Sequence, residues 1–148
     1  MKEEIMKNLI VGNFSKVDEL LKGIGLAELE TLFIDKLCYE YRDLSTYTYI
    51  NYRISKAKQS ELVRLHIIAC AILIIYFAYV EGAYSSGLYH AKKAVELEPN
   101  NVECLELLLS FYGLPEQLMD REKAKKIAKK IIKIKKTSIS AKNILELE

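Results

Sequence analysis

LHIIACAILIIYFAYV, Leu65 to Val80, holds no Lys, Arg, Asp or Glu across sixteen residues, with Arg64 and Glu81 on either side. A helix that is apolar all round must be covered all round. The stretch therefore reads as the central helix of an all-helical domain. A membrane span is the competing reading. It is disfavoured because sixteen residues fall short of the ~20 that a bilayer needs. His66 also lies inside the stretch, and the segment that follows reads better as part of a soluble helix pair. Ser60 is placed to cap the start of the central helix, and Glu61 suits its positive end. The helix is expected to run to about Val80, where Glu81-Gly82 turns the chain.

The chain around this helix has the composition of one helical domain. Its 148 residues can bury a sizeable core, and 51% of them are hydrophobic, which argues against disorder. With only 6 Gly and 2 Pro, long apolar runs joined by short turns are expected. The net charge of +2 hides an asymmetry. Residues 121 to 136 carry nine bases and one acid, so the rest of the chain is acidic, with nineteen acids against thirteen bases. Cys38, Cys70 and Cys104 are odd in number and far apart, which fits neither a disulfide framework nor a zinc site. They read as small buried hydrophobes in a reducing cytoplasm. The N-terminal MKEEIMKNLI is charged and amphipathic, without a secretory apolar core.

Downstream of the central helix, GAYSSGLYHAKKAVELEPNN (82 to 101) resembles the second helix and exit turn of a tetratricopeptide repeat. Gly82 and Tyr84 match the turn glycine and the aromatic after it. Gly87 and Ala94 match the small positions that let two helices approach, and Pro99 the proline that closes the unit. A second unit follows. Asn101 caps a helix expected over 102 to 112, with Leu105, Leu108 and Tyr112 on its inner face. GLPEQLMD (113 to 120) is about three residues longer than the family's usual turn. Asp120 then caps REKAKKIAKKIIKIKK, where Ala124 and Ala128 resemble the small residues of another second helix. Gly87 and Ala124 lie 37 residues apart, against a family period of about 34. The resemblance covers 68 to 136. It implies stacked antiparallel hairpins, a TPR-like α-α superhelix of about 8–9 helices, closed by a capping helix over 138 to 147 with Ile139, Ile144 and Leu145.

Upstream, the reading is of helices without clear repeats. Residues 3 to 11 form a short amphipathic helix with Ile5, Leu9 and Ile10 inside. A second runs from Phe14 to Lys22, with Phe14, Val17, Leu20 and Leu21 on one face, and Gly23 and Gly25 end it. The stretch from Gly12 repeats the glycine–aromatic–small pattern found 70 residues later at Gly82. Leu26 to about Arg42 forms a third helix, and Asp43 to Ser45 a turn. TYTYINY alternates like a strand, but a lone strand would have no partner, so 46 to 58 reads as helix.

No catalytic or cofactor motif is present. His66 and His90 belong to no ligand or triad pattern, and HExxH, GxSxG, P-loop and GxGxxG are all missing. The chain therefore reads as a non-enzyme with no cofactor. Two features are candidates for binding. The first is the Lys-rich helix, where Ala124, Ile127, Ala128, Ile131 and Ile134 form the apolar stripe and Lys125, Lys126, Lys129, Lys133 and Lys136 the rest. It reads either as a solvated face or as a footprint for an acidic protein or nucleic acid. One Arg and no aromatic favour the protein. The second is the tyrosine cluster of Tyr39, Tyr41, Tyr47, Tyr49 and Tyr52, which reads as core packing or as interface anchors.

The expected function is a non-enzymatic protein-binding module. Small free-standing proteins of this kind resemble bacterial immunity proteins, secretion chaperones and adaptors, and the Lys-, Ile- and Asn-rich composition resembles products of AT-rich bacterial genes. An immunity protein that neutralises one toxin is favoured by analogy. The alternative from another class is a nucleic-acid-associated protein using the Lys-rich helix.

Overall fold

A computed structural model describes residues 1–146. Among these, every regular element is helical. The helices are α1 (Lys2–Ile10), α2 (Phe14–Leu20), α3 (26–41), α4 (Ser45–Ser55), α5 (Gln59–Tyr76), α6 (Ala83–Leu97), α7 (Val102–Leu109), α8 (Arg121–Ile134) and α9 (Ile139–Glu146). Helices consecutive in the chain pack as neighbours along most of its length, so the arrangement is one of antiparallel hairpins compatible with a helical-repeat fold. TYTYINY lies inside α4, and its strand-like alternation is overridden.

The central helix is α5, and its side chains serve two cores. Leu65, Ile68, Ala69, Ile72 and Leu73 pack with residues of α1 to α4, including Ile5, Leu9, Val17, Phe33, Leu37 and Tyr49. Cys70 packs on the other side with Leu88, Leu105, Phe111, Ala128 and Ile131 from α6 to α8. Ile67 joins a smaller contact with Ala94 and Cys104. By length and composition α5 could cross a membrane, but eight of its residues are buried inside the protein.

Both ends of α5 differ from the sequence reading. The helix begins at Gln59, so Ser60 lies inside the first turn. The cap is instead the Glu61 carboxylate, which accepts the Lys58 backbone N–H at 3.0 Å, half of a capping box. The helix stops at Tyr76, four residues before Val80. Phe77 leaves the helix to enter the core, at 2% exposure, and Gly82 reverses the chain at φ 85°, a conformation other residues resist. Upstream, Ile10 is 60% exposed and Met6 takes the inward place beside Ile5 and Leu9. Gly25 is the N-cap of α3 rather than part of the stop of α2. The middle of α3, Thr31–Cys38, is π-helical. Its buried residues Leu29, Phe33 and Leu37 recur every four positions, a slower rotation that a wider turn keeps on one stripe.

Downstream, the caps form where the sequence places them. The Asn101 side chain accepts the Cys104 N–H at 3.3 Å, and Asp120 accepts the Lys123 N–H at 2.8 Å. The helix expected through Tyr112 ends its α portion at Leu109 and continues as a 3₁₀ turn, Ser110–Gly113, which buries Phe111. Ser138 Oγ accepts from the Ala141 N–H at 3.4 Å and caps α9, which packs on α8 and α7. Ile139 is exposed, so it plays no part in that packing, and Leu147 lies outside the described residues.

Two contacts fix α5 against its neighbours. A Cβ placed on Gly87 of α6 would stand 3.0 Å from Ile74 Cγ2 of α5 and 3.3 Å from Phe111 Cζ. Only glycine permits this approach without displacement. At the other end, Arg64 reaches Glu30 of α3 at 3.0 Å and grips both carboxylate oxygens of Glu103 of α7 at 2.8 and 2.9 Å. The two-pronged bond to Glu103 holds the Arg64 guanidinium protonated more firmly than usual and the Glu103 carboxyl below its ordinary range.

Gly87→Val should overfill the α5–α6 contact and destabilise the protein by about 1–3 kcal/mol. Urea unfolding monitored by circular dichroism measures the change, which should appear as a lower midpoint at unchanged slope.

Candidate functional site

The basic face of α8 follows from its helical period. Ala124, Ile127, Ala128 and Ile131 are buried against α7 and α9, while Ile134 at the end of the stripe is 47% exposed. Lys126, Lys129 and Lys133 then fall at i, i+3 and i+7 and are exposed, and Lys125 is half-buried. Among the described residues, Lys126, Lys129 and Lys133 enter no ion pair; Lys125 and Arg121 do have partners. Like charges at this spacing cost a helix about 0.2–0.5 kcal/mol per pair. The buried stripe of α8 and the Asp120 cap offset that cost, leaving a positive strip about 10 Å long at 1.5 Å per residue that has no ion-pair partner among the described residues.

The tyrosines separate by depth. Tyr39 is 68% exposed at the end of α3. Tyr49 is fully buried, stacked on Phe33 with ring centroids 5.5 Å apart. Its hydroxyl donates to Asp18 Oδ1 at 2.7 Å and accepts from Arg53 at 3.2 Å. Tyr52 is half-buried and donates to Asp18 Oδ2 at 2.9 Å, beside Lys56 Nζ at 2.9 Å. Burial alone would raise the Asp18 carboxyl, but the hydrogen bonds from Tyr49, Lys56 and Tyr52 together hold it below its ordinary range. Burial first, and then the bond to Asp18, raise the Tyr49 phenol well above its usual value. Tyr49 and Tyr52 thus tie α4 to α2.

Tyr47 belongs to a different group, one that includes both histidines. Its hydroxyl lies 2.9 Å from His90 Nε2, and His90 Nδ1 lies 2.9 Å from His66 Nδ1. The chain of three crosses α4, α6 and α5, and both imidazoles are buried, at 2% and 6% exposure. It opens on a cleft of about 270 Å³ lined by Tyr47, Asn51, Ser85, Ser86, Tyr89 and His90. Burial first and the neighbouring His66 second push His90 down to about 4, and burial with Lys93 nearby also lowers His66. Sequence reading passed over this pair because neither histidine has a local pattern; they are 24 residues apart.

The three cysteines are free and buried. Burial pushes the Cys38 thiol up to about 11 and the Cys70 thiol up to about 12, and it raises Cys104 as well. Such thiols are poor nucleophiles. Among the described residues no three His, Cys, Asp or Glu side chains are grouped to hold a metal. Comparison with protein-family models, with characterised proteins and with solved structures finds no match to this chain.

Asp18→Ala should leave the Tyr49 and Tyr52 hydroxyls short of an acceptor and destabilise the protein by about 1–3 kcal/mol, read as a lower urea midpoint. The His90 shift carries a sign. Its folded value, about 4, is below its unfolded value of 6.5. Between the two, the unfolded chain binds more protons, so stability is complete above 6.5 and falls as the pH drops towards 4. At 1.36 kcal/mol per unit the loss is about 3 kcal/mol. Unfolding midpoints at pH 7 and pH 5 should differ clearly in the native protein and less in His90→Gln.

Proposed function

We propose that the chain is a non-enzymatic protein-binding module whose partner presents an acidic surface to the Lys126, Lys129 and Lys133 face of α8. The observation carrying this reading is the exposed strip of lysines without ion-pair partners among the described residues, set on an otherwise acidic chain. A charged strip raises the encounter rate with an oppositely charged partner and selects against like-charged ones. The exposed Tyr39 is a second contact candidate, with the area and polar tip that interfaces favour.

The narrower form of the proposal is a bacterial immunity protein that neutralises a cognate toxin in the cytoplasm; a secretion chaperone or adaptor of tetratricopeptide type is the alternative. The close α5–α6 approach at Gly87, the buried Ala94 and the helix end before Pro99 support the repeat reading. The three free cysteines support a reducing compartment.

A pull-down from the source cell's lysate, with and without nuclease and eluted by a salt gradient, tests the proposal. One stoichiometric acidic protein should survive nuclease, and the triple change Lys126→Glu, Lys129→Glu and Lys133→Glu should cut its affinity at least tenfold. Co-expression with the captured protein then separates the narrower readings, since rescue of growth identifies an immunity protein. Recovery of nucleic acid alone, released by modest salt, overturns the proposal.

A further inference from the structure

We propose that Tyr47, His90 and His66 form a proton relay in which a proton taken up at His66 reverses both hydrogen bonds of the chain and turns the Tyr47 hydroxyl into the cleft between α4 and α6.

The geometry constrains where the protons sit. Two imidazole Nδ1 atoms 2.9 Å apart hold one proton between them, because two lone pairs or two N–H groups would repel. His90 also meets Tyr47 through its Nε2, so in neutral His90 one ring nitrogen donates while the other accepts. In the neutral chain the phenol is the better donor and imidazole nitrogen the better acceptor. Tyr47 therefore donates to His90 Nε2, His90 Nδ1–H donates to His66 Nδ1, and His66 carries its proton on Nε2. Each of the three groups holds one proton.

Adding one proton preserves these contacts in two forms, which differ only in which Nδ1 holds the shared proton, and the surroundings of the two rings select the form charged on His66. His66 becomes the cation and donates from Nδ1. His90 must then offer its Nδ1 lone pair, so its own proton resides on Nε2. Nε2–H donates to the Tyr47 oxygen, whose hydrogen is free to point into the cleft. The chain now holds four protons and one positive charge, located on His66, while His90 remains neutral. A second proton would set two N–H groups head to head; burial first, and the neighbouring His66 second, already disfavour a charge on His90.

The surroundings favour His66 as the entry point. It is the less buried of the two rings. The groups facing it are Tyr89, His90, Lys93 and Glu96, all on α6. Lys93 opposes the added charge and Glu96 favours it, and these two are paired with each other at 3.2 Å. His90 faces the Tyr47 phenol from α4, the Tyr89 ring and His66, and gains no carboxylate. The cleft lining of Asn51, Ser85, Ser86 and Tyr89 carries no charge of its own, so the donor sense of Tyr47 changes its hydrogen-bonding character. By linkage, a cleft ligand that accepts from Tyr47 would raise proton uptake at His66.

The test is a side-chain ¹⁵N NMR titration of the ¹⁵N-histidine-labelled protein from pH 8 to pH 5. The expected result is that His66 becomes doubly protonated first, while His90 stays neutral and moves its proton from Nδ1 to Nε2 over the same pH interval. In His66→Gln the titrating end is gone, and His90 should keep one tautomer throughout. The relay is overturned if His90 keeps one tautomer in the native protein, if it becomes charged before His66, or if it still switches in His66→Gln. Unfolding before any tautomer change overturns it too, and the native titration decides the matter if the variant fails to fold.

Discussion

The uncharged middle of α5 is the constraint on which the other elements depend. From Leu65 to Tyr76 it carries no Lys, Arg, Asp or Glu. At about 25 cal/mol per Å² of apolar surface, exposing such a helix would cost more than a domain's whole net stability. The chain meets this by setting helices on both sides, so that one helix wall serves two cores. That coverage requires close approach, and Gly87 provides it where Ile74 and Phe111 leave no room for a Cβ. It also requires register, which the Arg64 grip on Glu30 and Glu103 adds at the opposite end. The grip is partly exposed, so its role lies more in orienting three helices than in net stability.

Among the described residues, polar groups inside the core are few, and each buried side-chain polar atom has a partner. Thr46 donates to the Asp43 carbonyl and accepts from the Cys38 thiol; the Tyr49 hydroxyl has Asp18 and Arg53. The histidine pair differs in kind, because its satisfaction depends on proton position rather than on fixed donors and acceptors. A buried aspartate–lysine pair in its place would fix one charge state. Two imidazoles and a phenol allow two arrangements of nearly equal geometry, which makes the chain responsive to pH without any movement of the helices that carry it.

What the sequence reveals follows the range over which each interaction acts. Asn101 and Asp120 satisfy N–H groups three residues away, so their caps could be read directly. The stripe of α8 repeats at helical period and was equally legible. Ser60 was misread because Glu61 reaches the Lys58 N–H and competes for the same helix end. The stop at Tyr76 and the π-helical turns of α3 depend on where Phe77 and the Leu29, Phe33 and Leu37 stripe find space, which is tertiary information. The tyrosines show the same limit. Their density left core packing and interface anchoring both open; Asp18, 31 residues before Tyr49, draws two of them inward, and His90 engages a third.

The basic face of α8 and the buried histidine chain belong to opposite regimes of electrostatics. The lysines stand in water, where each charge is screened within about 8 Å at physiological salt. Their effect is additive and survives loss of any one of them. The histidines stand where the effective dielectric is low, so a single proton has an effect that spans three helices. A surface of the first kind can exchange its lysines without disturbing the fold, because the stripe that holds α8 in place lies on its other side. A chain of the second kind cannot change one member without leaving another buried nitrogen or hydroxyl unsatisfied. The fold therefore separates an exposed basic face from an interior group whose composition is fixed by its own hydrogen bonds.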